Sequence, residues 1–207
     1  MPWTGKPDGP EPVTRDVVET DDPERAHHLI AQRFGEHRVR ISGPPARFRY
    51  RQAVLRADEL EIGETRYTMR NRSESLPYSG LAVTTVTHGR YAVRTNDEEL
   101  RLGPGTTGRY PDVGAVHLID DLASVFVRLP MQRVAAAASV RTGLPAADFH
   151  FTTITPLSPA MALLWQSMTA FVRRQLAVNA VVASPLAGRA WWTWWRPPPS
   201  RCSRTPQ

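Results

Sequence analysis

The sequence predicts a mainly β fold with appended α: an antiparallel β-barrel or sandwich preceded by one short helix and followed by helices. Between Arg38 and Leu129, short β-branched or aromatic runs are separated by Gly, Pro, Asn and Asp. Turn signals return there roughly every 8–12 residues, the spacing of an antiparallel sheet. A single amphipathic helical pattern precedes this stretch, and the last third of the chain reads helical.

Residues 1–20 are polar and rich in Pro and Gly, and are expected to form a disordered arm. The helix after them has clear punctuation. Asp22 suits the N-cap, Pro23 the first helical position and Glu24 the positive end of the dipole. Ala26, Leu29, Ile30 and Phe34 share one face, and Gly35 is the stop. His27 and His28 are adjacent, so they point to different sides and are expected to be surface residues.

The strand runs are FRYRQAVLRA, LEIGETRYTM, GLAVTTVTHG, RYAVRTNDEELRLGPG and AVHLIDDLASVFVRL. Tyr91 and Val93 alternate with Arg90, Ala92 and Arg94, then Thr95, Asn96 and Asp97 form a polar turn before Leu100 and Leu102, which together read as a hairpin. A helix is expected from Pro130 to Gly143, and another opens with Ser158 as cap and Pro159 at its first position. In that last helix Met161, Leu164, Trp165, Met168, Phe171, Val172 and Leu176 form a wide apolar stripe. Such a stripe packs against the sheet or a partner subunit.

Composition excludes several classes. With 41% hydrophobic and 22% charged residues, the chain has the make-up of an ordinary globular protein. No apolar run is long enough to cross a membrane as a helix, and the N-terminus lacks the apolar core of a signal peptide. A lone cysteine, Cys202, fits a reducing cytoplasm. The net charge of +6 owes half its value to Arg196, Arg201 and Arg204 near the C-terminus. The other arginines lie among acids, which argues against a nucleic-acid groove.

Motifs for chemistry are sparse. Gly103-Pro104-Gly105-Thr106-Thr107-Gly108 matches GxGxxG, but no helix pattern follows it, so it reads as a turn. The histidines are His27, His28, His37, His88, His117 and His150, with no His-x-His on a strand, and no metal site is assigned. There is no GxSxG and no prominent carboxylate pair. No catalytic residue and no cofactor are assigned, and the chain is expected not to be an enzyme. Ser79, Thr84, Thr85 and Thr87 suggest a polar-lined barrel interior, which either holds a small molecule or is filled by its own side chains; filled barrels of this composition are at least as common.

Several segments occur in a telling order: TDDPERAHHLIAQRFGEHRVR, RYRQAVLRADELEIGETRYTM, HGRYAVRTNDEELRLGPGTTGRYPDVG, SVFVRLPMQRVAAAASVRTGLP and LSPAMALLWQSM. Together they resemble the N-terminal sensor domain of AraC/XylS-type bacterial transcriptional regulators, of the cupin-like, AraC-binding-like variety, over about residues 18–190. The most specific part is LGPGT with its following Pro/Gly turn, then VRLP entering a helix. The resemblance implies a cupin-like jelly roll that binds a small-molecule effector, helices that support a homodimer, and a separate DNA-reading region with two helix-turn-helix motifs. It fixes no ligand contacts residue by residue, so ligand-binding residues are left unassigned. A cupin-like small-molecule-binding protein or enzyme is the alternative.

The C-terminal string departs from the family pattern. Trp191, Trp192, Trp194 and Trp195 are four of the six tryptophans, followed by Pro197, Pro198 and Pro199. Tryptophan has one codon, so WWTWW read one nucleotide earlier must give [Leu/Met/Val]-Val-Asp-[Leu/Met/Val]-Val, the start of an amphipathic helix. Residues 191–207 are therefore expected to be a frameshifted, disordered tail. Residues 21–190 are expected to form the sensing and dimerisation domain, cytoplasmic, cut short before any helix-turn-helix, with no DNA-binding residues and no membrane contact of its own. A Trp/Arg tail docked on an anionic membrane is the weaker reading of the same string.

Overall fold

The computed structural model describes residues 13–178, apart from Glu36. The proposed tail 191–207 and residues 1–12 of the expected arm lie outside the described residues.

Part of that arm is a strand. β1 (Thr14–Thr20) pairs antiparallel with β3 (Tyr50–Ala57) along its full length. Its residues are mostly exposed, so the sequence shows no buried alternation; backbone pairing to β3 orders it. α1 (Pro23–Phe34) matches its sequence signals. The Asp22 carboxylate accepts from the Glu24 N–H at 2.9 Å, and Gly35, at φ 87°, ends the helix.

β2 (His37–Ser42), β3, β4 (Leu60–Ser75), β5 (Gly80–Arg94), β6 (Glu99–Leu102), β7 (Thr107–Arg109) and β8 (Ala115–Pro130) complete one antiparallel sheet. Its order is β1-β3-β4-β8-β5-β6, with β2 on β4 and β7 on β5. Three long strands form the frame. β4 pairs with β3 through residues 60–67 and with β2 through 70–75. β5 pairs with β7 through 83–85 and with β6 through 91–94. β8 runs between β4 and β5 along both halves.

Each long strand bends where its two halves meet. The register shifts between Tyr67 and Arg70 on β4 and between Val86 and Arg90 on β5, and Asp121 of β8 takes φ 49°. Gly89 has φ 73°, and a Cβ there would lie 2.0 Å from the Asp121 carbonyl oxygen. Bulges of this kind turn strands at barrel corners. The sheet folds into a jelly-roll-like barrel that does not close.

Two cores result. Phe48, Tyr50, Tyr67, Val86, Tyr91 and Val93 pack inside the barrel, with Ala26 of α1 among them. Outside it, Leu60, Ile62 and Val127 pack against Val172 and Leu176 of α3 (Pro159–Ala177). α2 (Met131–Thr142) follows β8 directly and ends at Gly143, φ 74°. The Ser158 hydroxyl caps α3 by accepting from the Met161 N–H at 3.2 Å. The apolar stripe read for α3 divides between two faces. Trp165, Val172 and Leu176 turn to the sheet, whereas Met161, Leu164 and Phe171 remain 47%, 53% and 50% exposed.

Candidate functional site

Alternation along the strands decides what faces the barrel interior. On β4, Asn71, Ser73 and Ser75 are buried and alternate with exposed Arg72 and Glu74. On β3, buried Gln52 follows exposed Arg51. Register then brings Gln52, Thr65 and Ser124 side by side across β3, β4 and β8, while Ser73 pairs with His117 in the other half. These two polar rows belong to opposite halves of the folded sheet. Between them is a cavity of about 100 Å³.

α1 crosses one end of this cavity. Ile30 and Phe34 line it, and the Phe34 ring lies 5.5 Å from Phe126 and 5.9 Å from Tyr110. Arg33, one residue earlier, donates to the Gln52 carbonyl at 2.5 Å and pairs with Asp16 at 3.6 Å. Beside it, Glu61 receives Arg56 and Arg128, each at 2.6 Å. Burial pushes the Glu61 carboxyl pKa up, but the Arg56 hydrogen bond and the Arg128 and Arg33 charges outweigh it and hold the pKa below the ordinary value.

His117 is buried and lines the barrel cavity. Its Nε2 lies 2.8 Å from the Ser75 hydroxyl and its Nδ1 2.8 Å from the Tyr91 hydroxyl. Tyr110 stacks on its ring, with centroids 4.7 Å apart. Burial, reinforced by nearby His37, lowers the His117 pKa to about 4, so the ring is neutral at pH 7. Burial also lowers His37, against the raising effect of its hydrogen bond to the Gly35 carbonyl.

A serine, a histidine and an orienting hydroxyl in line resemble a nucleophilic triad by distance alone. The chemistry does not follow. An imidazole with a pKa near 4 is a weak base at neutral pH, and burial raises the Tyr91 phenol well above its ordinary value, so it supplies no negative charge. Ser75 is also not among the residues that line the cavity.

Two cavity groups are incomplete. The Tyr50 hydroxyl and the Asn71 carbonyl oxygen have no hydrogen-bond partner among the described residues, although Tyr50 is 1% and Asn71 3% exposed. Buried polar atoms are normally satisfied, so an orphan that lines a cavity marks a place for a ligand or water.

The sequence reading found only part of this lining. Of the four small polar residues it singled out, Thr84 lines the cavity, Thr85 bonds Thr107 at 2.8 Å, and Ser79 and Thr87 are exposed. His88 pairs with Asp121 on the surface at 3.0 Å, and His150 is exposed. His27 differs from expectation: its Nδ1 lies 3.1 Å from Nε2 of His37, which lines the cavity. Among the described residues, no three His, Cys, Asp or Glu side chains gather as a metal site. The GxGxxG match is the turn from β6 to β7, with Gly105 at φ 81°.

A similar architecture occurs in a solved structure. The fold is similar to the crystal structure of the AraC-like transcriptional activator CuxR, with a TM-score of 0.66 at 15% identity, over 87% of this chain and 68% of that one. KdgF from Halomonas sp. aligns at TM-score 0.34 and 14% identity, over 39% of this chain and 78% of that one. A cupin superfamily protein from Desulfitobacterium hafniense DCB-2 aligns at TM-score 0.31 and 13% identity, over 50% and 86%. No curated protein matches the chain in sequence. A sequence-family description does match: residues 26–193 fit the AraC-binding-like domain, and the chain belongs to that family.

Proposed function

We propose that residues 13–178 are the effector-sensing and dimerisation part of an AraC-type transcriptional regulator, and that the effector occupies the barrel cavity. The observation that carries the reading is the pair of orphaned polar atoms, Tyr50 Oη and Asn71 Oδ1, in residues that line the cavity. The role we propose is binding, which the occupation of both His117 nitrogens by hydroxyls supports. Among the described residues, α2 and α3 are separated by residues 143–158, a spacing unlike that of a helix-turn-helix. For dimerisation, the support is the outward stripe of Met161, Leu164 and Phe171 on α3.

A thermal-shift screen of small molecules against the chain and its Ser124→Leu variant tests the cavity. Ligands of the barrel raise Tm in a concentration-dependent way, and the added side chain abolishes the rise. A ligand whose shift is untouched by Ser124→Leu binds elsewhere and overturns the assignment.

A further inference from the structure

The donors and acceptors of the cavity restrict what it can hold. We propose that its ligand is a small, electrically neutral, hydroxyl-bearing molecule, held between the Tyr50 hydroxyl and the Asn71 carbonyl oxygen. This rests on the reading of the barrel as the effector site.

Charge comes first. Among the described residues, no Asp, Glu, Lys or Arg side chain lines the cavity. Arg33 is engaged by Gln52 and Asp16, while Arg56 and Arg128 are engaged by Glu61. A carboxylate or phosphate in the cavity would therefore meet no free cation among the described residues, and desolvating an unpaired charge is unfavourable. The imidazoles do not substitute. His117 is neutral and bonded at both nitrogens, and burial lowers the pKa of His37. An ammonium group is disfavoured in the same way, since no carboxylate among the described residues lines the cavity.

The orphaned atoms then specify the polar group. Asn71 Oδ1 can only accept, so the ligand must donate to it. The Tyr50 hydroxyl can donate or accept. A ligand hydroxyl donates to the first and accepts from the second. Gln52, the other amide in the wall, already accepts from Arg33 and donates to Thr65 at 3.3 Å. The rest of the wall mixes the hydroxyls of Thr65, Ser73, Thr84 and Ser124 with an apolar patch of Ile30, Phe34, Ile119, Leu122 and Phe126, and the patch suits a carbon frame. A dry cavity of roughly 150 Å³ accepts benzene. The present cavity, about 100 Å³, is smaller but open on one side, so a single six-membered ring enters it only in part.

Phenol, toluene and benzoate at pH 7 separate the requirements, with binding to the full chain followed by ligand-observed NMR titration. Phenol is expected to saturate, toluene to bind at least tenfold more weakly, and benzoate not to saturate. Tyr50→Phe and Asn71→Leu should each weaken phenol about tenfold. Tyr50→Phe should leave the Tm of the free protein unchanged or higher, since that hydroxyl has no internal bond to lose, so weaker binding is not a sign of unfolding. Benzoate binding as tightly as phenol, and lost in Ser124→Leu, overturns the neutral assignment while leaving the barrel as the site. Toluene matching phenol, with Tyr50→Phe silent, overturns the hydroxyl requirement. Saturable binding by none of the three overturns the site reading and the proposal together.

Discussion

The Tyr91 hydroxyl lies 2.8 Å from Nδ1 of His117, and the two rings are parallel to within 4°. Tyr91 and His117 come from adjacent strands, β5 and β8, and Ser75 of β4 completes the set at 2.8 Å. The group is a buried cross-link between the three long strands.

This cross-link makes stability sensitive to mild acid. His117 has its pKa lowered to about 4 in the folded chain from an ordinary 6.5. Between those values the unfolded chain takes up a proton that the native chain refuses. The stabilisation is therefore complete above pH 6.5 and is lost as pH falls toward 4. His37, also lowered, acts in the same direction. Urea denaturation at pH 7 and pH 5 should differ by about 2 kcal/mol from His117 alone. His117→Gln should lower stability at pH 7 and flatten the slope; an unchanged slope would place the acid sensitivity elsewhere.

Gly63 faces Phe126 across the β4–β8 pair. A Cβ at Gly63 would come within 2.2 Å of the Phe126 ring. Gly63→Ala should cost about 1–3 kcal/mol by overpacking. Adding Phe126→Leu should recover at least half of that loss in a double-mutant cycle, since the clash is with the ring. Strict additivity of the two changes would show that the contact is not the cause.

Glu61 gathers two arginines at 2.6 Å while its side chain is only 12% exposed. Glu61→Gln leaves Arg56 and Arg128 facing each other without a counter-charge. The expected loss is about 3 kcal/mol, at the lower end for breaking a buried pair because the arginines keep some water. The carboxyl pKa is held low in the folded chain, so this contribution is present at neutral pH and disappears as pH falls through that depressed value. Denaturation of the variant at pH 7 measures it.

The outward stripe of α3 predicts self-association without a change of fold. Leu164→Glu with Phe171→Glu should convert a dimer into a monomer in sedimentation velocity, with Tm altered only slightly at low protein concentration. Both side chains are about half exposed in the isolated chain, so the charges need not be buried in it. A wild-type chain that sediments as a monomer at tens of micromolar contradicts the dimerisation reading.

The elements were legible where local chemistry sets them. Asp22-Pro23 and Ser158-Pro159 are start signals that act within one turn, and both helices begin there. The hairpin from Tyr91 to Leu102 follows from alternation and a polar turn. β1 was not legible, because an exposed edge strand is held by backbone bonds to β3 and leaves no apolar trace. The cavity was half legible. The run Asn71-Arg72-Ser73-Glu74-Ser75 already alternates small polar with charged residues, which marks a polar inward face. That His117 meets Ser75 and Tyr91 depends on register between strands more than 20 residues apart in sequence, and no local pattern encodes it.

The bent strands β4, β5 and β8 have a further consequence. Each contributes to both halves of the barrel, so neither half contains a complete set of neighbours by itself. Assembly must wait for chain segments far apart in sequence to meet, with Glu61 opposite Arg128 and Gly80 opposite Pro130. Closing loops of that length before any contact rewards them makes folding slow, in the millisecond-to-second range of non-local β topologies. Unfolding, in turn, should be all-or-none for the barrel, because releasing one wall removes the hydrogen-bonding partners of the other.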